Sequence, residues 1–258
     1  MSLASRTLAM LVLAAALAAC GGASLPPPAQ STQAPVASDG AQQLAAGTYR
    51  TQFFQPTLTY TVPEGWELLA DTPNWVQLRP QGSQDIGLYL FRDARAASQA
   101  ASCPTEPEPG VGTTSTELVA HFRGLPGVNA GQPALVTVGG LRGSQLDMGI
   151  APGWTASCPF ANGVPTVPLI MNEGIDRWVL AGDERLRFYI LDVPGGGNVI
   201  VDIDDFMGDQ IDGLIKSATP IIKSFEFEVS SESASPEASS VASPSVTPVL
   251  SPVASAAP

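Results

Sequence analysis

Few side chains in this chain of 258 residues could do chemistry: one histidine, three cysteines and 24 acidic residues. His121 would have to serve as the base of any Ser-His-Asp arrangement, and Ser144, in "RGSQLD", lacks the glycine spacing of a nucleophile elbow. His121 also falls off the apolar stripe of its segment, which reads it as a solvated helix residue. The densest carboxylates are Asp202, Asp204, Asp205, Asp209 and Asp212, and hard cations such as calcium want several oxygen ligands. The spacing is not that of an EF-hand loop, because counting from Asp202 the fifth position is Phe206 and the sixth is Met207 instead of a glycine. The plainer reading puts Asp202 and Asp204 on the outward face of an alternating strand. Asp209 and Asp212 then fall at the start of a helix, where the dipole favours negative charge. No metal site is expected. Gly195, Gly196 and Gly197 lie between two strand-like runs, whereas a phosphate-cradling loop needs a strand leading into a helix. No cofactor is implied. A hydrolase built on two convergent carboxylates stays open, since any two of the 24 acidic residues can meet in a fold.

Cys20 belongs to a different chemistry. One basic residue, Arg6, precedes an uninterrupted apolar run from Leu8 to Ala19, the layout of a secretory signal. At about 1.5 Å per residue the run spans roughly 18 Å, short of the ~30 Å hydrocarbon core. Leu17, Ala18 and Ala19 before Cys20, with Gly21 and Gly22 after it, resemble the lipobox of bacterial lipoproteins. That resemblance implies a cleaved signal peptide over residues 1–19 and a lipid such as palmitate on Cys20. The protein would then be held extracytoplasmically on a membrane of the cell envelope. Each buried CH₂ of the lipid contributes about 0.8 kcal/mol to anchorage.

With Cys20 acylated, Cys103 and Cys158 remain, an even number in a compartment where disulfides persist. Paired, they close a loop for which chain entropy gives roughly 4 kcal/mol of stabilisation; two free thiols are the alternative. Oxidation of both would remove the thiolate that a Cys-His enzyme needs.

The formal net charge is -12 and the isoelectric point is near 4.3. Loss of Arg6 with the signal makes the mature chain about one unit more negative. Nucleic acid needs a face of Lys and Arg, and the only lysines are Lys216 and Lys223. No nucleic-acid partner is expected, and attraction to anionic lipid is disfavoured too, which leaves anchoring to the lipid on Cys20.

Residues 20–46 are rich in Ala, Pro, Gln, Ser and Gly, and residues 230–258 repeat Ser, Ala, Pro and Val. Neither stretch carries enough apolar surface to order itself, so they read as a disordered linker and a disordered tail. Residues 47–229 suit a single domain. Within it, aromatic and β-branched runs such as "LTYTV", "IGLYLF", "LRFYILDV" and "NVIVDID" are strand signals. The segment Pro194, Gly195, Gly196, Gly197 reads as a hairpin turn. A helix is expected over 114–123, with Thr114 and Glu117 as a capping box and Gly124 as its stop. A second is expected over 209–224, kinked or shortened by Pro220. These elements make an α+β domain: a central antiparallel sheet with about two flanking helices.

"YTVPEGW", "LPGVNAGQPALVTVGGLRG", the paired runs "LRFYILDV" and "NVIVDI", and the closing "KSFEF" resemble the PsbP-like lipoproteins of bacteria. The resemblance implies an α+β fold with a central antiparallel sheet flanked by helices, as in the photosystem extrinsic subunit and a Ran-binding protein. Its motifs are strand and turn signals, so it implies no functional residue. It favours a binding or accessory subunit over an enzyme by analogy.

Two Pro/Gly-rich stretches, 98–112 and 149–168, are long loops that the expected disulfide would join. Trp154 and Phe160 flank Cys158 there. Either both fold over the disulfide as a satellite core, or at least one is exposed as a rigid binding anchor. The function these features favour is a non-catalytic, membrane-anchored binding or accessory module for an unidentified protein or small molecule. The alternatives are an envelope hydrolase using paired carboxylates and a wall-spanning protein in which the tail matters most.

Overall fold

The computed structural model describes residues 40–229. The expected signal peptide, Cys20, most of the linker and the tail lie outside the described residues. The chain first forms β1 (Gln42–Leu44), β2 (Gly47–Arg50), β3 (Thr57–Val62), β4 (Trp66–Asp71), β5 (Trp75–Pro80), β6 (Ile86–Arg92) and β7 (Arg95–Ala96). Then come α1 (Ser115–Gly124), β8 (Val128–Ala130), β9 (Ala134–Val138), β10 (Leu141–Ile150), β11 (Thr166–Asn172) and β12 (Ile175–Ala181). It closes with β13 (Arg185–Asp192), β14 (Asn198–Asp205), α2 (Ile211–Lys223) and β15 (Glu226–Glu228).

Eight strands line up as β1-β4-β5-β6-β14-β13-β10-β8, and β9 joins the same nine-stranded sheet through β10. The pairings are antiparallel; β8 takes the Met148 to Ile150 end of β10 and β9 the Leu141 to Gln145 end. Two further sheets have three strands each, β12-β11-β7 and β15-β3-β2. The fold is α+β, but the sheet is larger than a central sheet with two helices suggests, and each of its faces has a small sheet as well as a helix for cover. One core holds Val199, Val201 and Ile203 of β14 against α2 and β3; the other holds Ile200 against α1, β11 and β12.

Cover on both faces overturns one sequence expectation. All eight residues of β14 are buried, so Asp202 and Asp204 are not an outward face. Alternation marks the two sides of a strand, and here neither side meets water. The expected linker boundary also shifts. Gln42, Gln43 and Leu44 form β1, with Ala41 and Leu44 buried, so ordered structure begins ahead of residue 47.

Local signals are realised closely. The Thr114 hydroxyl accepts the Glu117 N–H at 3.3 Å, and the Glu117 carboxylate accepts the Thr114 N–H at 3.1 Å, so α1 starts on a capping box. The β13–β14 hairpin turns through Gly195, Gly196 and Gly197, whose φ values of 89°, 115° and 83° suit glycine. In α2, Pro220 sits in the last turn and neither ends the helix early nor keeps it from reaching Lys223.

Candidate functional site

Cys103 and Cys158 form a disulfide with Cα atoms 5.7 Å apart, both half-cystines buried. The first lies in a turn after β7, where its N–H donates to Ala100 O at 2.8 Å. The second precedes a single 3-10 turn (Pro159–Ala161), and its N–H donates to the Thr166 hydroxyl at 2.6 Å. Thr166, the first residue of β11, therefore fixes the loop to a strand. The same residue's carbonyl accepts the Trp154 indole N–H at 3.0 Å. From the other loop, the Gln99 side-chain amide donates to Pro168 O at 2.8 Å.

Trp154 is half-buried and lies over Gly127. A Cβ on Gly127 would come 2.6 Å from the Trp154 ring and 2.5 Å from a Val167 methyl, so the close approach of ring and backbone requires glycine. Between the two stapled loops and the α1–β8 connection is a cavity of about 320 Å³. Its wall includes Ala100, Cys103, Leu125, Trp154, Cys158 and Val167, and no Asp, Glu, Lys, Arg or His lines it. Trp154 thus packs on the stapled loops and forms part of a pocket wall, and it is not among the exposed large apolar side chains.

Phe160 is not brought to that pocket. It is 48 % exposed, and the Arg177 guanidinium stands over its ring at 4.8 Å. Arg177 also donates to Cys103 O at 2.6 Å, so one side chain links the Phe160 turn to the disulfide. Neither Gly127, Thr166 nor Arg177 stands out in the sequence, because their parts depend on what the fold places opposite them.

A second groove, of about 630 Å³, is lined by Val164, Trp178, Glu184, Phe206 and Met207 among others. Behind it lie Asp202 and Asp204, both with zero exposure, and Glu184 at 3 %. The Glu184 carboxyl accepts the Ala181 N–H at 2.8 Å through Oε2, while its Oε1 and all four oxygens of Asp202 and Asp204 make no hydrogen bond of normal geometry. Burial, and then Asp204, push Asp202 well above the usual carboxylate range; burial and then Glu184 do the same to Asp204. Glu184 is pushed up to about 8, burial again being the main cause. Tyr89, whose ring packs 4.7 Å from that of Trp178, is raised by burial and by the two aspartates.

The remaining candidates separate. Asp212 is in the first turn of α2, and Asp205 accepts the N–H groups of Met207 at 3.1 Å and Gln210 at 2.5 Å just ahead of it. His121, expected in solvent, is half-buried instead, with a desolvated Nε2 that finds no partner and a pKa lowered by burial. Its ring lies edge-on to that of Phe122, its neighbour in sequence, at 5.7 Å, and Glu108 of the loop before α1 acts on it in the opposite sense to burial. Ser144 is buried in β10 opposite Ile190, and no hydrogen bond joins it to His121. Among the described residues, no group of His, Cys, Asp or Glu is arranged to hold a metal ion.

The structure is similar to a cyanobacterial PsbP. Against the solution structure of PsbP (CyanoP) from Synechocystis sp. PCC 6803, identity is 11 % and the TM-score 0.36, over 71 % of this chain and 94 % of that one. A crystal structure from Bacteroides thetaiotaomicron VPI-5482 matches at 12 % identity and a TM-score of 0.30, over 68 % of this chain and 46 % of that one. This chain therefore spans about half the length of the Bacteroides protein. No family model and no curated protein matches the sequence. The likeness meets the PsbP-like resemblance of the sequence; it carries no residue and no role onto this chain.

Proposed function

We propose that the chain is a lipid-anchored, extracytoplasmic binding module that takes a small, uncharged, largely apolar ligand in the pocket behind the Cys103–Cys158 disulfide. The observation that carries this reading is the chemistry of the wall. Acid, base and nucleophilic catalysis each need an ionisable or activated group within reach of the substrate, and the wall offers none beyond two oxidised cysteines. A cavity of about 320 Å³ suits a small ligand, and apolar walls with a few backbone polar groups are what such sites use. The clustered carboxyls Glu184, Asp202 and Asp204 have almost no exposure, which favours binding over hydrolysis by paired carboxylates. Among the described residues no helix is long and apolar enough to cross a membrane; in this reading the lipid on Cys20 supplies the attachment.

Titration of the purified protein with N-phenyl-1-naphthylamine, a neutral fluorescent probe, tests the proposal. Saturable enhancement is expected in the parent, with affinity reduced about tenfold or more in Ala156→Phe, which fills the pocket from its exposed rim. No saturable binding, or equal binding in Ala156→Phe, overturns it.

A further inference from the structure

Under the groove that Phe206 and Met207 border, three carboxyl groups from two elements meet without a counter-ion. Asp202 and Asp204 come from one face of β14, and Glu184 from the turn between β12 and β13. The groups acting on them are one another, Asp205 on the same strand, the Trp178 indole on β12 and the Ala181 N–H; none is a cation. From β6 only Tyr89 faces the cluster, and its phenol is pushed upward by burial and then by Asp204 and Asp202. The nearby arginines are engaged elsewhere: Arg187 of β13 with Asp147 at 2.6 and 2.8 Å, and Arg177 of β12 with Cys103 O and Phe160. The exposed Arg185 side chain lies along Gly149 and Gly208.

Three desolvated carboxylates without a cation do not all ionise together, because burial in low dielectric and mutual repulsion both penalise the charged forms. Of the three, Glu184 alone borders open space, on two sides: the groove with Phe206 and another lined by Asp147 and Arg185. Its turn is closed by reciprocal bonds, Ala181 N–H to the Glu184 carboxyl at 2.8 Å and Glu184 N–H to Ala181 O at 3.0 Å. That turn also touches the one after β14: a Cβ on Gly208 would stand 2.0 Å from Asp183 O.

We infer that Glu184, Asp202 and Asp204 form a proton-held latch: protons retained on these buried carboxyls keep Glu184 turned inward, and their loss releases it into the groove and frees its turn from the one after β14. The groove beside Trp178, Phe206 and Met207 then changes shape with pH while the nine-stranded sheet stays intact. Glu184 titrates near 4.5 in an unfolded chain and near 8 in the fold, so between these values the folded state holds more protons. Folding therefore favours the proton, and the stability that Glu184 contributes to this region is lost as pH rises from about 4.5 through about 8; Asp202 and Asp204, raised in the same direction, act with the same sign. This is the reverse of a carboxylate stabilised by an ion pair.

Amide hydrogen exchange of the purified protein at about pH 6 and about pH 9, corrected for the intrinsic dependence on pH, tests the latch. Peptides covering 181–185 and 205–210 should exchange about tenfold or more faster at the higher pH, with β10 and β13 unchanged. Glu184→Gln keeps an oxygen for the Ala181 N–H and has no proton to lose, so its turn should stay protected at both values. Uniform loss of protection, no pH effect in the parent, or a Glu184→Gln protein that opens like the parent overturns the latch. If Glu184→Gln does not fold, the parent's regional pattern decides.

Discussion

Asp192 closes the N-terminus of α1 from 77 residues away: its Oδ1 accepts the backbone N–H of Ser115 at 2.6 Å and its Oδ2 accepts the Ser115 hydroxyl at 2.6 Å. Asp192 ends β13 and Ser115 begins α1, so one side chain ties to the central sheet the helix whose following connection, Leu125 to Gly127, lines the disulfide pocket. The carboxylate also sits at the positive end of the helix dipole. Asp192→Ala should therefore destabilise the domain by about 1–3 kcal/mol, measured by urea unfolding, because a buried N–H loses a charged acceptor. A change below about 0.5 kcal/mol would show that the capping box alone holds the helix start.

Replacing both Cys103 and Cys158 by serine should cost up to roughly 4 kcal/mol through the freed loop. The pocket should suffer more than the fold. Both loops keep their own anchors, Thr166 to Cys158 N–H and Gln99 to Pro168 O, while the wall between them loses its fixed spacing. Probe binding lost under conditions where circular dichroism still reports a folded domain is the expected outcome; binding at parental affinity would show that the staple does not shape the site.

In the proposed reading, anchorage rests on Cys20. Cys20→Ala has no thiol to acylate, so the protein should leave the membrane fraction after a salt wash while its melting temperature is unchanged. Persistence on salt-washed membranes would end the lipoprotein reading, because the acidic chain offers no electrostatic route to an anionic surface.

Features read from short windows of sequence were legible in proportion to how local their cause is. Thr114 and Glu117 make a capping box from residues three apart, and Gly195 to Gly197 make their turn from backbone freedom alone. The cysteine pair was legible from parity and compartment, without geometry. Asp202, Asp204 and His121 were misread for a common reason: exposure depends on what lies across the sheet or beneath the helix. The sequence pattern of β14 separates Ile200, Asp202 and Asp204 from Val199, Val201 and Ile203, but does not reveal that β12 covers the first set. Gly127 was invisible for the same reason, since its requirement for glycine comes from a tryptophan 27 positions later.

Trp154 and Phe160, read from the sequence as one candidate rim, should behave differently when truncated. Trp154 loses an indole bond to Thr166 O, its packing on Gly127 and part of the pocket wall, so Trp154→Ala should cost about 2–4 kcal/mol and abolish probe binding. Trp154→Phe keeps a ring over Gly127 and gives up the hydrogen bond, so it should recover most of the stability and part of the affinity. Phe160 is 48 % exposed with Arg177 over its face, an arrangement that contributes about 0.5–1 kcal/mol, so Phe160→Ala should leave probe binding unchanged and stability within about 1 kcal/mol. Unchanged stability is what makes Phe160 the informative residue for a protein partner. If material copurifying from native membranes is lost with Phe160→Ala while Trp154→Phe retains it, Phe160 is a surface anchor and the pocket a separate ligand site. If Phe160→Ala instead unfolds the stapled loop, seen as probe binding lost together with a fall of several kcal/mol, the exposed ring is scaffold and the rim reading fails for that residue.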